Sequence, residues 1–341
     1  MTTLLAGDIG GTKTLLALYR SSADGLECLR QQRFVSAAWP DLAPMVQAFL
    51  EGEEPPDAAC LAVAGPVQAG RAQLTNLPWQ LSSEALAREC AIPRLELEND
   101  FAVLVYGLPH LGADQQVKIH PGLAEPGAPL LIVGAGTGLG VAYGVPTRQG
   151  LQAIASEGGH GTFAPRTESE WQLKCWLQAD LQLERVSIER VVSGTGLGHV
   201  ARWLLAERPA AQGHPLALVA QRWQAALQGD NSEAPEDLPA ATARAAAAGD
   251  ALALEALDLW LGAYGSVCGD LALTGLSRGG LWLAGGTAAK LLVPLGSATF
   301  RQAFLAKGRL RRQLASLPIT AVVDEGIGLF SAACRARMLL H

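Results

Sequence analysis

The sequence predicts an α/β protein of two domains, built by internal duplication. Three observations carry that reading: an opening of three strands broken by a glycine turn, the same strand, turn and strand outline again after residue 130, and a helical remainder. At 341 residues the chain is long for one core, so two domains are expected.

Apolar runs alternate with turn residues at the start: Thr3 to Ile9, then Gly10-Gly11, Thr14 to Tyr19, Gly25, and Glu27 to Val35. That alternation predicts a three-stranded antiparallel sheet. Leu42, Met45, Val46, Phe49 and Leu50 recur at helical spacing, and Ala58 to Ala64 reads as a buried strand ending at Gly65-Pro66. After a short hairpin through Leu74 and Leu77, Ser82-Ser83-Glu84-Ala85 has the form of a helix N-terminus with an acid in its first turn. Leu95 to Leu97 predicts a strand that ends at Glu98-Asn99-Asp100, and Phe101 to Leu108 a helix. The Pro- and Gly-rich stretch from Ile119 to Pro129 reads as a domain crossing. Beyond it come a strand from Leu130 to Val133, the turn Gly134-Ala135-Gly136-Thr137-Gly138, and a strand from Leu139 to Val145. Helical segments begin near Trp171, Leu216, Ala240 and Ala251, while the Pro, Gly and Asp breaks between Glu207 and Pro239 leave that region open.

Composition narrows the function classes. With 49% apolar and 17% charged residues, the chain can build a full core and is too sparsely charged for disorder. A net charge of -6 argues against nucleic acid as a partner, because phosphate-backbone binding needs clustered Lys and Arg. Arg309, Arg311 and Arg312 are the one basic group, and they read as a solvated face. The six cysteines are too scattered for zinc spacing and read as reduced core residues. Met1 to Ala6 runs straight into a strand, so secretion is not expected. The apolar stretch from Ala251 to Leu276 carries Glu255, Asp258 and Asp270, which suit a core helix better than a membrane span. A cytosolic protein is expected.

The strongest single feature is Gly7-Asp8-Ile9-Gly10-Gly11-Thr12-Lys13-Thr14 between two strands. Amides freed at such a turn can converge on an anion, and glycine lets phosphate approach. It is not a P-loop, which needs Gly at the position of Thr12 and a helix next. Nor is Gly134-Ala135-Gly136 a dinucleotide fingerprint, which needs Gly where Leu139 stands. An ordinary tight hairpin is the bland alternative. A second turn of the kind, Gly134 to Gly140, weakens that alternative, since two clamps in duplicated halves make a nucleotide site. A third, Ser193-Gly194-Thr195-Gly196-Leu197-Gly198, precedes a helix and can aim its N-terminus at phosphate. A fourth, Gly285-Gly286-Thr287, follows a strand, and glycine there lets a flat base lie against the backbone.

With these motifs in place the sequence resembles the bacterial glucokinases of the hexokinase branch over almost the whole chain. Gly7 to Lys13 resembles the family's first phosphate motif, Leu97-Glu98-Asn99-Asp100-Phe101-Ala102 its catalytic strand end, and Gly134 to Gly140, with Gly136, Thr137 and Gly138, its second phosphate motif. Ser156-Glu157-Gly158-Gly159-His160 resembles the sugar loop, Ile188 to Gly194 the segment that brings the acid Glu189, and Leu283 to Thr287 the adenosine motif. The resemblance implies the duplicated actin-like ATPase (ribonuclease H-like) fold with a cleft between its domains: residues 1–112 plus 324–341 as a small α/β domain, 113–323 as a larger one. It also implies ATP with Mg2+, and a homodimer. The related repressor-and-kinase group carries a Cys-rich zinc motif after the sugar-loop His; here Gly161-Thr162-Phe163-Ala164 follows, so no zinc is expected.

Phosphoryl transfer to an alcohol needs a proton acceptor, a metal to neutralise charge, and in-line positioning. Asp100, at a strand end beside Asn99, suits the first role, although an isolated Asp before a helix is more often an N-cap. Asp8 inside a phosphate turn would repel ATP unless magnesium or its water stood between, which assigns it to the metal shell; a turn-forming Asx role is the alternative. Lys13 has two readings, a phosphate contact or an exposed strand lysine. Glucose offers only hydroxyls, so its site should be a ring of carboxylates and amides. Asn99, Asp100, Glu157, His160 and Glu189 fit by resemblance, and Asn76 and Trp79 on the early hairpin are further candidates against a turn amide and a packed indole. A Glu157-x-x-His160 metal pair is disfavoured because Gly158-Gly159 opposes a helix.

The expected function is ATP-dependent phosphorylation of the glucose 6-hydroxyl. A kinase for mannose, glucosamine or an N-acetylated hexose is the nearest rival. A sugar-sensing regulator would need a DNA-binding segment before the strand that begins at Thr3, and an actin-like or chaperone ATPase would consume ATP without sugar.

Overall fold

Alternating apolar residues fold the N-terminus into β1 (Thr2–Ile9), β2 (Lys13–Ser22) and β3 (Gly25–Val35). β1 pairs antiparallel with β2 from Thr2↔Ser21 to Ile9↔Thr14, and β2 with β3 from Lys13↔Val35 to Ser22↔Gly25, as the sequence predicts. The computed structural model describes residues 2–23, 25–74, 77–208, 213–229 and 236–341. Next come α1 (Leu42–Phe49), β4 (Ala58–Val63), the short strands β5 (Val67–Gln68), β6 (Arg71–Gln73) and β7 (Gln80–Ser82), α2 (Ser83–Glu89), β8 (Leu95–Asn99) and α3 (Leu104–Gly107). The chain continues through β9 (Gln116–His120), β10 (Leu130–Ala135), β11 (Leu139–Thr147), β12 (Gly150–Ser156), α4 (Glu168–Asp180), α5 (Gly194–Glu207), α6 (Leu216–Leu227), α7 (Leu238–Ala247) and α8 (Ala251–Thr274). It ends with β13 (Leu281–Ala284), α9 (Gly286–Lys290), α10 (Leu292–Leu295), α11 (Ala298–Leu305), α12 (Arg311–Ala315), β14 (Ile319–Val322) and α13 (Ile327–Met338).

Duplication is visible in the sheets. The first has the order β3-β2-β1-β4-β8 and the second β12-β11-β10-β13-β14-β9, so each sets a three-strand meander beside two parallel strands. The chain divides into one unit of residues 1–115, 142–155 and 324–341 and another of 116–141 and 156–323.

In the first unit β4 is buried along its whole length, as a central parallel strand should be. Leu5, Ile9, Leu16, Met45, Phe49, Leu61 and Leu97 close the core around it. Trp79 joins that core with 2% of its surface exposed, so the indole is a packed core side chain and offers almost no surface to a sugar. α13 packs against α3 at Gly107, where a Cβ would stand 2.2 Å from Ser331 Oγ.

The second unit is organised around α8, which buries Trp260, Leu261, Tyr264 and Cys268. Gly265 and Gly269 let α11 approach to backbone contact, since Cβ atoms there would lie 2.2 and 2.5 Å from the carbonyls of Phe300 and Phe304. α8 is apolar and long enough to cross a membrane, yet most of it is enclosed here as the core helix the sequence predicts.

Four details depart from the sequence reading. The helix expected from Phe101 shrinks to α3, because the Asn99 side chain takes the amides of Phe101 and Ala102 into a turn. β9 enters the stretch read as irregular, an edge strand antiparallel to β14 whose mixed residues Gln116-Val117-Lys118-Ile119-His120 hide it from a search for apolar runs. β14 itself was not read as a strand. Cys28, on edge strand β3, and Cys175, on α4, are exposed, whereas Cys60, Cys90, Cys268 and Cys334 are buried; all six are free thiols.

Candidate functional site

Parallel strands leave their unpaired carboxyl ends on one edge of a sheet, where α/β proteins place ligands. β1, β4 and β8 run in register there, with Asp8 opposite Ala62, Ile9 opposite Val63, and Val63 opposite Asn99. The ladder extends one step further as Asp100 N donates to Val63 O at 3.0 Å. Asp100 therefore emerges at the same edge as Asp8.

Asn99 fixes its neighbour. Its Oδ1 accepts from the amides of Phe101 and Ala102 at 3.1 and 3.0 Å, while Nδ2 donates to Gly65 O at 3.0 Å and to Asp100 Oδ1 at 3.1 Å. Gly65 can present that carbonyl because its φ of 141° lies where side chains are strained. The surrounding protein weakens hydration of the Asp100 carboxylate even though its tip reaches solvent, and Asp8 repels it. Together they raise its pKa to about 6 against hydrogen bonds that pull the other way. Burial also raises the pKa of Asp8, partly offset by Lys13.

The turn between β1 and β2 is held from behind. Gly10 N donates to Lys13 O at 3.0 Å, Ser36 Oγ donates to Gly10 O at 2.7 Å, and Thr14 Oγ1 lies 3.0 Å from Ser36 Oγ. Gly11, Thr12 and Lys13 face outward from this brace, with Thr12 and Lys13 exposed.

In the second unit the sugar-loop residues converge. A short helical turn at Gly158–His160 brings His160 Nε2 within 3.6 Å of Glu157 Oε2, and His160 Nδ1 lies 3.3 Å from Glu189 Oε1. Gly159 is obligatory at this bend, since a Cβ would stand 2.3 Å from Leu139 O. Glu189 is secured through Ser193, whose Oγ donates to Glu189 O at 2.6 Å and accepts from Gly196 N at 2.8 Å as the cap of α5. Its carboxylate reaches the second glycine turn, where a Cβ on Gly138 would meet Oε2 at 2.7 Å.

Three of the four glycine motifs meet in one cavity of about 480 Å³ within this unit. Gly136 and Thr137, then Gly194 and Thr195, then Gly286 and Thr287 line it. Hydrogen bonds lock them together: Gly194 N to Gly136 O at 2.7 Å, Thr195 Oγ1 to Thr137 O at 2.8 Å, and Thr287 Oγ1 to Ala135 O at 2.6 Å. Gly285, at φ 83°, turns β13 into α9 beside Ala135. The lining thus joins backbone and hydroxyl groups from the glycine motifs, with Lys290, to a largely apolar part at Leu197, Trp223 and Pro239 that Asp237 borders. A phosphate tail and a base ask for such a division.

A family model of glucokinases matches residues 5–339. The chain belongs to the glucokinase family. Glucokinase of Synechocystis is 43% identical over 98% of both chains, and a solved glucokinase from an Antarctic psychrotroph is 30% identical, with a TM-score of 0.80 over 99% of each chain. A ROK family glucokinase from Streptomyces griseus, solved with glucose and AMPPNP, shares the fold at 20% identity and a TM-score of 0.58. The duplicated sheets of this glucokinase family member are therefore those of the actin-like ATPase fold.

Magnesium, which the family implies, fits the donor set at the sheet edge. The ion usually takes one or two carboxylates and completes its shell with water and substrate phosphate, and Asp8 stands next to Asp100 as such a donor. Among the described residues no group of three or more His, Cys, Asp or Glu is disposed to hold a metal by itself.

Sequence reading missed Lys290, Trp223, Asp237 and Pro239, which line the nucleotide-sized cavity. Lys290 carried a signal, as a cation one turn after a glycine motif. The other three come from α6 and the N-terminus of α7, where breaks obscure periodicity. Asn76 lies outside the described residues.

Proposed function

We propose that the chain transfers the γ-phosphoryl group of ATP to the 6-hydroxyl of glucose, forming glucose 6-phosphate. The observation that carries this reading is Asp100, steered by Asn99 and set beside Asp8 at the strand ends, in a chain of the glucokinase family. Phosphoryl transfer asks the protein mainly to position groups and offset charge, with one residue to receive the proton. A carboxylate with a pKa near 6 is ionised at neutral pH and a stronger base than an ordinary Asp. Asp100 Oδ1 is tied to Asn99 Nδ2, which leaves Oδ2 to take the proton from the hydroxyl.

Glu157, His160 and Glu189 bind the remaining sugar hydroxyls as paired acceptors and donors, so an epimer would leave polar groups unmatched, while Asn99, whose amide is fully engaged within the chain, serves to position Asp100. Gly7 to Lys13 and the cavity at Gly136, Gly194 and Gly286 hold the nucleotide. Asp8 holds Mg2+, which neutralises phosphate charge when bound. A homodimeric, cytosolic form completes the reading, supported by the family resemblance and by the enclosure of α8 in the core.

A coupled assay with ATP, Mg2+ and a panel of glucose, mannose, glucosamine and N-acetylated hexoses tests the proposal. Glucose should give the highest kcat/KM. ATP hydrolysis independent of sugar, or a clear preference for another hexose, would overturn it.

A further inference from the structure

Glycine inside a helix is disfavoured against alanine, so the three glycines in the first two turns of α5 each require a reason. Gly194 and Gly196 have one in backbone contact, as Cβ atoms there would lie 2.9 Å from Gly136 O and 2.1 Å from Val191 O. Gly198 differs, because its obstacle is a side chain. A Cβ there would stand 2.7 Å from Cη2 and 2.8 Å from Cζ2 of Trp223, with Pro239 Cδ at 3.2 Å. The six-membered ring of the indole occupies the space that the missing methyl leaves on α5.

Trp223 is fastened from a second side by His199, whose ring meets the indole edge to face at a centroid distance of 5.4 Å. His199 is buried and neither of its ring nitrogens has a hydrogen-bond partner among the described residues; burial and the nearby Arg202 keep it neutral, with a pKa lowered to about 4. It acts on Trp223 as an apolar plate. Trp223 is itself nearly buried, and what remains open lines the apolar end of the 480 Å³ cavity with Leu197 and Pro239.

We infer that Gly198 is a specificity-determining residue for the phosphoryl donor: by admitting the Trp223 ring against α5, it sets the depth of the end of the cavity that receives the purine base. This rests on the reading of that cavity as the nucleotide site. Aromatic faces hold bases by stacking, and a base slot is sensitive to displacement of its wall by a methyl group. An alanine at this position would push the indole into the space of the base, while the phosphate contacts of Gly136, Thr195 and Thr287 stay in place.

The test is calorimetric binding of a non-hydrolysable ATP analogue and of tripolyphosphate to wild type, G198A, W223F and the double variant, with melting curves for each. G198A should weaken the analogue about tenfold, the scale of one misplaced methylene in an apolar slot, and leave tripolyphosphate unchanged. In the W223F background, where the obstructing ring atoms are gone, adding G198A should shift the analogue's affinity by less than about twofold, because the two positions are coupled. An equal penalty in both backgrounds, an equal loss for tripolyphosphate, or no penalty at all would overturn the inference. If G198A fails to fold, the double variant must fold and bind like W223F alone; a double variant that also fails to fold overturns it. Wild type that binds the analogue but phosphorylates no glucose would instead sink the kinase reading and leave this one standing.

Discussion

Asp8 and Asp100 stand at the carboxyl ends of parallel strands β1 and β8, one on each side of β4, and the charge of Asp8 helps raise the pKa of Asp100 to about 6. A base works only when ionised, so the acid limb of kcat/KM should fall as pH drops through about 6. Asp8→Asn removes the repulsion, and whatever it does to the height of the profile, its limb should move to lower pH. A pH series of initial rates on both proteins decides this; an unmoved limb would show that the two carboxylates do not interact.

Asp100→Asn separates catalysis from stability. Losing the base should cut kcat by roughly a hundred to ten thousandfold, with glucose still bound. The effect on stability has the opposite sign. A carboxyl whose folded pKa is raised destabilises the fold when ionised, and the penalty is relieved as pH falls through the folded value towards the unfolded one. The Asn variant should therefore melt above wild type at pH 8, with the gap closing near pH 4. Calorimetric scans at the two pH values check it, and equal melting temperatures at pH 8 would contradict the assigned burial.

The β1-β2-β3 opening and the repeat at β10 and β11 were legible because short-range alternation and glycine turns encode them locally. The helix start at Ser82 was legible for the same reason, since a Ser followed closely by an acid is a local signal, whereas Ser193 to Gly198 reads as a turn before a helix and in fact Ser193 caps α5 with the three glycines already inside it. The Glu157, His160 and Glu189 grouping depended on resemblance, because an isolated bridge between Thr162 and Ser187 brings Glu189 to the loop and spacing cannot show that. Gly198 was visible only as part of a glycine run. Its partner Trp223 lies 25 positions further along the chain, on another helix, and only packing joins them.

Glu189→Gln keeps the size of the side chain and removes the acceptor charge facing His160 Nδ1 at 3.3 Å. If this grouping holds glucose hydroxyls, the KM for glucose should rise by about ten to a hundredfold while the KM for ATP stays within twofold. Steady-state kinetics varying each substrate in turn will show the split. A matched rise in both constants would place the effect in general damage to the fold.

Ser193→Ala tests how the same acid is held. The hydroxyl has no exposed surface, donates to Glu189 O and accepts from Gly196 N, so its removal leaves two groups at the start of α5 unpaired. A lost N-cap of this kind costs about 1–2 kcal/mol. The denaturation midpoint in urea should fall by the corresponding amount, and the KM for glucose should rise because Glu189 loses its anchor. A variant that is destabilised yet binds glucose normally would separate the cap from the sugar site.

Arg335 on α13 grips Glu96 of β8 through two hydrogen bonds at 2.7 and 3.0 Å, stacks on Tyr106 at 4.9 Å, and lies 3.9 Å from Glu98. Glu98 already has a raised pKa, from burial first and then from Glu96, and Arg335 works against that rise. Arg335→Met would leave two neighbouring carboxylates without their cation, at a cost of about 3 kcal/mol near neutral pH for a largely enclosed pair. Removing the cation pushes the folded pKa of Glu98 further up, so the penalty on its ionised form should shrink as pH falls towards 4.5 and Glu98 takes up a proton. Urea unfolding of both proteins at pH 7.5 and 4.5 measures the difference directly. A loss of the same size at both pH values would mean that Arg335 contributes packing against Tyr106 and little charge compensation on the strand that carries Asp100.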